Sequence, residues 1–195
     1  SFLGLASLFC LNSFCLFKLI VLVELVHDQF QSFESMANLR EIKYSFEAEK
    51  SVIMMDCDYD KLRKIVLNIL SNAFKYTSNG GSISIEVKPE SRNTEQWVTL
   101  SFKDNGCGID KEKRDKIFEC FYQVESMNHS QGGSGIGLYL VKKYVDLHHG
   151  EISVSDNQPQ GTVFTISLPT RASVAELVKP ETEKEEKNAQ HETSQ

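Results

Sequence analysis

Strand-like segments lie close together in this sequence, and their spacing constrains the fold more than any other feature. Apolar and polar residues alternate over residues 42–46, 83–87 and 98–102. Alternation with a period of two is typical of strands that are buried on one face. Because strands joined by short connections usually pair in an antiparallel way, these segments predict a mostly antiparallel sheet. Further short apolar or alternating runs predict strands at 52–55, 151–155 and 162–168.

Amphipathic helices are predicted at residues 21–37, 58–77 and 135–148, where apolar residues recur at spacings of three and four. Asp58 is suited to cap the second of these, because an aspartate side chain accepts hydrogen bonds from the first N–H groups of a helix. A helix with one apolar face must bury that face against another element. The predicted fold class is therefore α+β, a two-layer α/β sandwich whose mixed, mostly antiparallel sheet carries the helices on one face.

The two ends of the chain differ in composition from the middle. Residues 1–20 are almost uncharged and rich in Phe, Leu and Cys, which fits either the edge of a fragment or a membrane-spanning or signal-like stretch. Residues 171–195 end in a tract of charged and polar side chains, which predicts a disordered tail or a linker. The folded domain is therefore predicted to occupy residues 21–170.

Charge and cysteine content exclude two classes of function. The chain has 27 acidic and 21 basic residues, with no basic stripe interleaved with aromatic residues, so nucleic acid is not expected as a partner. Its five cysteines include no Cys-x-x-Cys pair, which argues against a zinc site or a disulfide framework. This cysteine usage favours a reducing, cytosolic setting.

Two glycine-rich segments mark a candidate ligand site. Asp104-Asn105-Gly106-Cys107-Gly108 directly follows a predicted strand, and Gly132 to Leu138 opens a predicted helix. The first segment taken alone is compatible with an ordinary turn. Glycines at a helix start, however, let backbone N–H groups approach a phosphate. No lysine follows these glycines as in a Walker A loop, and their spacing differs from the dinucleotide fingerprint.

The predicted helix at 58–77 carries a pair of amide side chains that are further candidates for the ligand site. Asn68 and Asn72 are four residues apart and therefore lie on one helix face, among apolar neighbours. Half-buried amides need hydrogen-bonding or ligand partners, although a surface or capping role is the common alternative for helical asparagine. A side-chain carbonyl oxygen is a suitable ligand for Mg²⁺.

Four segments together resemble the conserved boxes of sensor histidine kinases. Residues 68–77 are similar to the N box, 104–109 to the G1 box, 117–123 to the F box and 133–138 to the G2 box. Their order and spacing resemble the catalytic ATP-binding domain of that family. The wider superfamily, with its Bergerat-type ATP-binding fold, includes gyrase B, heat-shock chaperone and mismatch-repair ATPases.

The resemblance implies a role for each matching residue, with ATP and Mg²⁺ as cofactors. Asp104 would accept a hydrogen bond from the adenine amino group, and Gly106 and Gly108 would leave room for the ring. Asn72 would hold Mg²⁺, and Asn68, Asn72 and Lys75 would form the catalytic group. The other implied residues are Tyr76, Ile109 and Thr162 around adenine, Gly133, Gly135, Ile136, Gly137 and Leu138 around the triphosphate, and Phe118 and Phe121 as anchors of a lid at about 122–134.

The resemblance also implies that hydrolytic relatives of the superfamily carry a glutamate at the position that Asn68 occupies here. An amide is a poor general base, so the resemblance implies transfer of the phosphoryl group to a presented nucleophile rather than fast hydrolysis. That nucleophile would be a histidine on a separate dimerisation domain. The His-Glu-Leu-Arg-Thr-Pro motif is not found, and the nearest string, His27-Asp28-Gln29-Phe30, lacks its Arg and Pro. His148 and His149 are explained as cap residues at a helix C-terminus.

The resemblance further implies a response regulator or receiver domain as a downstream partner, and a cytoplasmic location within a membrane-anchored sensor. Two alternatives remain at this point. One is an ATP-dependent conformational switch or chaperone-like ATPase, which robust turnover without any acceptor would favour. The other is a nucleotide-binding interaction module without catalysis, because a fold does not guarantee chemistry.

Overall fold

Seven strands and three α-helices form within residues 17–123 and 134–170, which are the residues that the structure, a computed structural model, describes. Two short 3₁₀ turns lie between the fifth strand and the third helix, at Lys111–Lys113 and Lys116–Phe118. In chain order the elements are β1 (Phe17–Val21), α1 (Leu22–Leu39), β2 (Lys43–Ala48), β3 (Met54–Asp58), α2 (Tyr59–Tyr76), β4 (Ser82–Arg92), β5 (Glu95–Asp104), α3 (Gly137–Leu147), β6 (Glu151–Asp156) and β7 (Thr162–Pro169).

The main sheet has five strands in the order β2-β4-β5-β7-β6. Strand β2 pairs with β4 in parallel, and every other pair in this sheet is antiparallel. The prediction of a mixed, mostly antiparallel sheet is thereby confirmed. The register sets Asp104, the last residue of β5, opposite Ile83 on one side and Thr162 on the other.

One face of this sheet packs against the helices and forms the core. The apolar face predicted for α2 is fully buried, and so are the alternating apolar residues of β4, β5 and β7. Asp58 caps α2 as predicted, because its side chain accepts a hydrogen bond from the Lys61 N–H at 3.1 Å. The core side chains that are 0% exposed include Leu62, Ile65, Val66, Ile69, Leu70, Ile85, Leu100 and Ile166.

Strand β1 is a feature that the sequence analysis missed. It pairs antiparallel with β3, from Phe17 opposite Asp58 to Val21 opposite Met54, and the two form a separate sheet. Residues 17–20 therefore belong to a sheet, although they were assigned to the apolar segment 1–20. The strand runs directly into α1 without a turn residue, so no local signal separates the two elements.

The possible membrane-spanning stretch at residues 1–20 lies almost wholly outside the described residues. Among the helices of residues 17–123 and 134–170, none combines the length and the apolar character that crossing a membrane requires.

His148 lies buried between the C-terminus of α3 and the N-terminus of α2. Its Nε2 accepts a hydrogen bond from the Asp58 backbone N–H at 3.1 Å, so its Nδ1 carries the proton and donates to the Tyr144 carbonyl at 2.6 Å. The ring therefore bonds as a neutral tautomer. A cap role alone was predicted for this residue, whereas the structure shows that it also joins two helices.

Folding stability is expected to decrease in mild acid because of His148. Burial is the main factor that lowers the pKa of His148 from its ordinary value of 6.5, while the Tyr144 carbonyl and Asp58 oppose this shift in part. The unfolded chain then takes up the proton more readily than the folded chain. The free energy of unfolding contributed by this group is therefore complete above pH 6.5 and is lost as the pH falls below that value.

Urea denaturation at a series of pH values on either side of 6.5 measures this dependence. In His148→Leu the chain is expected to be less stable at neutral pH and to lose most of the acid slope. His149→Gln is the matched control, since His149 is exposed and contributes least among the factors that shift the pKa of His148, so its replacement should leave most of the slope in place. An unchanged slope in His148→Leu would show that other groups govern the acid sensitivity.

Candidate active site

Asp104 is a buried carboxylate at the end of β5, with 5% of its surface exposed. Its Oδ1 accepts hydrogen bonds from the backbone N–H of Gly106 at 2.9 Å and of Thr162 at 3.2 Å. Its Oδ2 accepts no hydrogen bond from any residue within 17–123 and 134–170. The carboxylate is thus held in place through one oxygen, and the other oxygen is left for a donor on a ligand.

Burial also makes the ionised form of Asp104 costly. Desolvation raises the pKa of its carboxyl group above the ordinary value of 3.8, and the N–H groups of Gly106 and Thr162 offset this only in part. An additional N–H donor from a bound molecule would stabilise the ionised form. The site is therefore suited to a ligand with an exocyclic amino group.

Two glycines allow the backbone to pack closely around Asp104. A Cβ atom at Gly106 would lie 2.4 Å from the Tyr76 carbonyl oxygen, and a Cβ atom at Gly161 would lie 1.9 Å from the Asp104 carbonyl oxygen. Asn157 adds a third contact, because its Nδ2 donates to that same Asp104 oxygen at 2.8 Å. Gly161 and Asn157 were missed by the sequence analysis. The only local signal was the glycine that stands directly before Thr162.

Helix α2 carries the polar residues of the predicted catalytic group. Asn68 is half-buried, and its Nδ2 donates to the Lys64 carbonyl at 2.8 Å. A Cβ atom at Gly137 would lie 2.7 Å from the Asn68 Oδ1, so the first residue of α3 packs directly on this amide. The structure therefore brings the predicted N box and G2 box into contact.

Asn72, Lys75 and Tyr76 follow along α2. All three side chains are half-buried, and the side chain of Asn72 makes no hydrogen bond to any other described residue. The Lys75 Nζ lies 4.9 Å from the centre of the Tyr76 ring. From Asn68 to the Tyr76 carbonyl, which touches Gly106, α2 rises by about 12 Å. The helix therefore joins the Asp104 end of the site to its α3 end.

The two ends of the predicted lid meet at Phe121 and Gly135. The Phe121 N–H donates to the Gly135 carbonyl at 3.0 Å, and a Cβ atom at Gly135 would lie 2.7 Å from the Phe121 carbonyl carbon. Phe118 packs against the core, whereas the side chain of Phe121 is 70% exposed. Of the two predicted anchors, Phe121 thus makes its contact through the backbone. Most of the predicted lid, including Gly133, lies outside the described residues.

The remaining predicted residues lie around these contacts. Ile109 and Leu138 are partly buried against the core, Gly108 has a φ of +78°, and Ile136 is half-buried next to Gly137. Within residues 17–123 and 134–170, no group of three His, Cys, Asp or Glu side chains is placed to hold a metal ion. An Mg²⁺ ion at this site would therefore depend on few protein ligands, which is common for this ion when phosphate and water complete its coordination.

Comparison with known proteins identifies the family to which this chain belongs. A family profile described as "Histidine kinase-, DNA gyrase B-, and HSP90-like ATPase" matches residues 57–172. A curated relative, histidine kinase P4 of Formosa agariphila, is 35% identical over 152 residues, which cover 76% of this chain and 11% of the relative. The chain thus spans about a tenth of the length of that relative.

Solved structures show the same fold. The catalytic domain of histidine kinase ThkA, in a nucleotide-free form, matches with a TM-score of 0.69 and 28% identity, covering 79% of this chain and 95% of that domain. A structure of ThkA in complex with the response regulator protein TrrA matches with a TM-score of 0.63 and 25% identity, covering 79% of this chain and 42% of that chain. The chain therefore belongs to the histidine kinase-, DNA gyrase B- and HSP90-like ATPase family, and its fold is that of a histidine kinase ATP-binding domain.

Proposed function

We propose that this domain binds Mg·ATP at the Asp104 site and transfers the γ-phosphoryl group to a histidine on a separate dimerisation domain. The observation that carries the proposal is the Asp104 carboxylate, which is buried, fixed by two backbone N–H groups and left with one oxygen for a ligand. Adenine carries an exocyclic amino group that can donate to this oxygen. Guanine carries an acceptor at the same position and would be rejected.

The phosphate groups would lie toward the N-terminus of α3. Backbone N–H groups and the helix dipole favour anionic groups at this point, and Gly137 keeps it free of a side chain. Lys75 adds a positive charge on the neighbouring face of α2. The half-buried Asn72 amide, which has no hydrogen-bonding partner among the described residues, fits a role as an Mg²⁺ ligand. The ion, when bound, would neutralise charge on the phosphates and orient them.

Asn68 supports transfer in preference to hydrolysis. Its amide cannot accept a proton from water near neutral pH, and its Nδ2 is already engaged by the Lys64 carbonyl. Bound ATP would therefore persist until an acceptor histidine is presented. In keeping with the complex of ThkA and TrrA, we propose a response regulator or a receiver domain as the next phosphoryl acceptor.

Cysteine chemistry supports a cytoplasmic location for this domain, which we propose to be part of a membrane-anchored sensor. Among the described residues, Cys107 and Cys120 are free thiols exposed to solvent. Exposed free thiols persist in reducing compartments and become oxidised elsewhere.

The role of Asn72 can be tested by nucleotide binding with and without Mg²⁺, using a fluorescent ATP analogue. The parent chain is expected to bind about tenfold more tightly when Mg²⁺ is present, and Asn72→Ala is expected to lose this difference. Ser71→Ala, a change of an exposed neighbour on the same helix, is the control and should behave like the parent. Mg²⁺ dependence that survives in Asn72→Ala would contradict the proposed metal role.

Phosphoryl transfer itself is tested by adding radiolabelled ATP together with the dimerisation domain of a full-length kinase that contains this chain. Labelled histidine on the added domain, with slow phosphate release when the domain is left out, is the expected result. Rapid phosphate release without any acceptor would instead support the conformational ATPase named above.

A further inference from the structure

Arg40, the residue that follows α1, binds the end of α2 through its whole side chain. Its Nη1 donates to the Phe74 carbonyl at 2.5 Å, its Nη2 donates to the Thr77 carbonyl, and its Nε donates to the Asn79 Oδ1 at 2.9 Å. The Arg40 main chain also takes part, because its carbonyl accepts a hydrogen bond from the Gly80 N–H at 2.9 Å. One residue thus contacts both the last turn of α2 and the turn after it.

These contacts provide hydrogen-bond donors for backbone carbonyl groups at the helix end, which lack a partner within the helix itself. The last carbonyls of an α-helix have no partner within the helix, and they carry the negative end of its dipole. A guanidinium group is positively charged, and its planar fork can reach several acceptors at once. Arg40 therefore stabilises the C-terminal end of α2 from outside that helix, at the residue that follows α1.

The end of α2 in turn shapes the base-recognition end of the site. The Tyr76 carbonyl packs on Gly106 so closely that a Cβ atom there would lie 2.4 Å away. The N–H of that same glycine donates to the Asp104 Oδ1 at 2.9 Å. The turn after α2 makes a second contact, since a Cβ atom at Gly81 would lie 2.7 Å from the Asn105 Oδ1.

We propose that Arg40 is a positioning residue for adenine recognition, an inference that rests on the proposed ATP site. Arg40 is hydrogen-bonded to the last turn of α2, and that turn packs closely against Gly106. The Gly106 N–H in turn orients the Asp104 carboxylate. A hydrogen bond weakens steeply when its angle departs from linearity. A small displacement of the α2 end would therefore weaken the bond to the adenine amino group more than the phosphate contacts at the N-terminus of α3.

The test compares the affinity of the chain for ATP with its affinity for inosine triphosphate, which carries an oxygen in place of the amino group. Two variants are used: Arg40→Met, which removes every donor, and Arg40→Lys, which keeps the charge but not the fork. Both are expected to bind ATP about tenfold more weakly and to lose less of their affinity for inosine triphosphate, so that the preference for ATP falls. Arg92→Met is the matched control, because Arg92 pairs with Glu90 and Glu151 on the sheet and should leave the preference unchanged.

A purely structural role of Arg40 gives a different pattern. In that case both variants would lower the urea midpoint of unfolding, and the folded protein would keep the parental ratio of the two affinities, which would overturn the inference. Arg40→Lys decides the matter if Arg40→Met does not fold. If Asp104→Asn weakens ATP binding while the Arg40 variants keep the parental preference, the positioning role alone fails. If Asp104→Asn leaves ATP binding intact, the proposed ATP site fails as well.

Discussion

Replacing Asp104 with asparagine is expected to weaken ATP binding about 100-fold and to leave the fold intact, because a hydrogen bond to a charged group is lost and an N–H donor faces the adenine amino group instead. The carbonyl oxygen of the introduced amide could still accept from the Gly106 and Thr162 N–H groups, which hold Oδ1 in the parent. Titration with a fluorescent ATP analogue measures the affinity, and circular dichroism reports whether the fold is kept.

Asp110→Asn is the matched control for this experiment. Asp110 is an exposed carboxylate of the same loop, and it pairs with Lys113 at 2.7 Å rather than with the backbone at the strand end. This variant should bind ATP like the parent. Parental affinity in both variants would refute the assignment of Asp104 to base recognition, and an equal loss in both would indicate a general effect of charge.

Replacing Gly161 with alanine is expected to lower the free energy of unfolding by about 4 kcal/mol, or to prevent folding altogether. Its φ of +121° is a conformation that residues with a Cβ atom rarely adopt, and the added Cβ would lie 1.9 Å from the Asp104 carbonyl oxygen. Moving the turn between β6 and β7 or the end of β5 to relieve this overlap would strain the hydrogen bond from the Thr162 N–H to Asp104. Urea denaturation measures the loss.

Gly80→Ala separates the cost of backbone conformation from the cost of close packing. Gly80 also has a positive φ, of +75°, but a Cβ atom there would meet nothing within 4 Å. The expected loss is about 1 kcal/mol, the usual cost of a left-handed backbone for a residue other than glycine. Similar losses in Gly161→Ala and Gly80→Ala would show that the packing around Asp104 can relax.

Periodicity and motif order were sufficient to predict most elements of the fold. Residues 98–102 alternate so regularly that the strand, and the position of Asp104 at its end, follow from local pattern alone. The Asp58 cap of α2 and the apolar face of the same helix could likewise be predicted. Capping and the recurrence of apolar residues at spacings of three and four both depend only on residues that are close in sequence. The boundaries of the elements were predicted less accurately than their existence. Strand β3, for example, begins two residues after the start of the predicted run at 52–55.

The contacts that complete the site could not be predicted in the same way. Hydrophobic periodicity indicates which side of an element is buried, but it does not indicate which distant residue packs against that side. Asp104 is hydrogen-bonded to Thr162, which is 58 residues away in the sequence. The hydrogen-bonded residues Arg40 and Thr77 are 37 residues apart, and His148 and Asp58 are 90 residues apart. No residue type at these positions carries a local signal of its partner.

The sequence by itself determined the family, the order of the strands and helices other than β1, and the residue types at the end of β5 and along α2. These features depend on period, capping and motif order, which are written within short stretches of chain. Only the tertiary structure decided that β1 pairs with β3, that Gly161 packs on the Asp104 backbone, and that Arg40 holds the end of α2. Each of those depends on how close two distant segments approach, and that distance is set by the packing of the whole core.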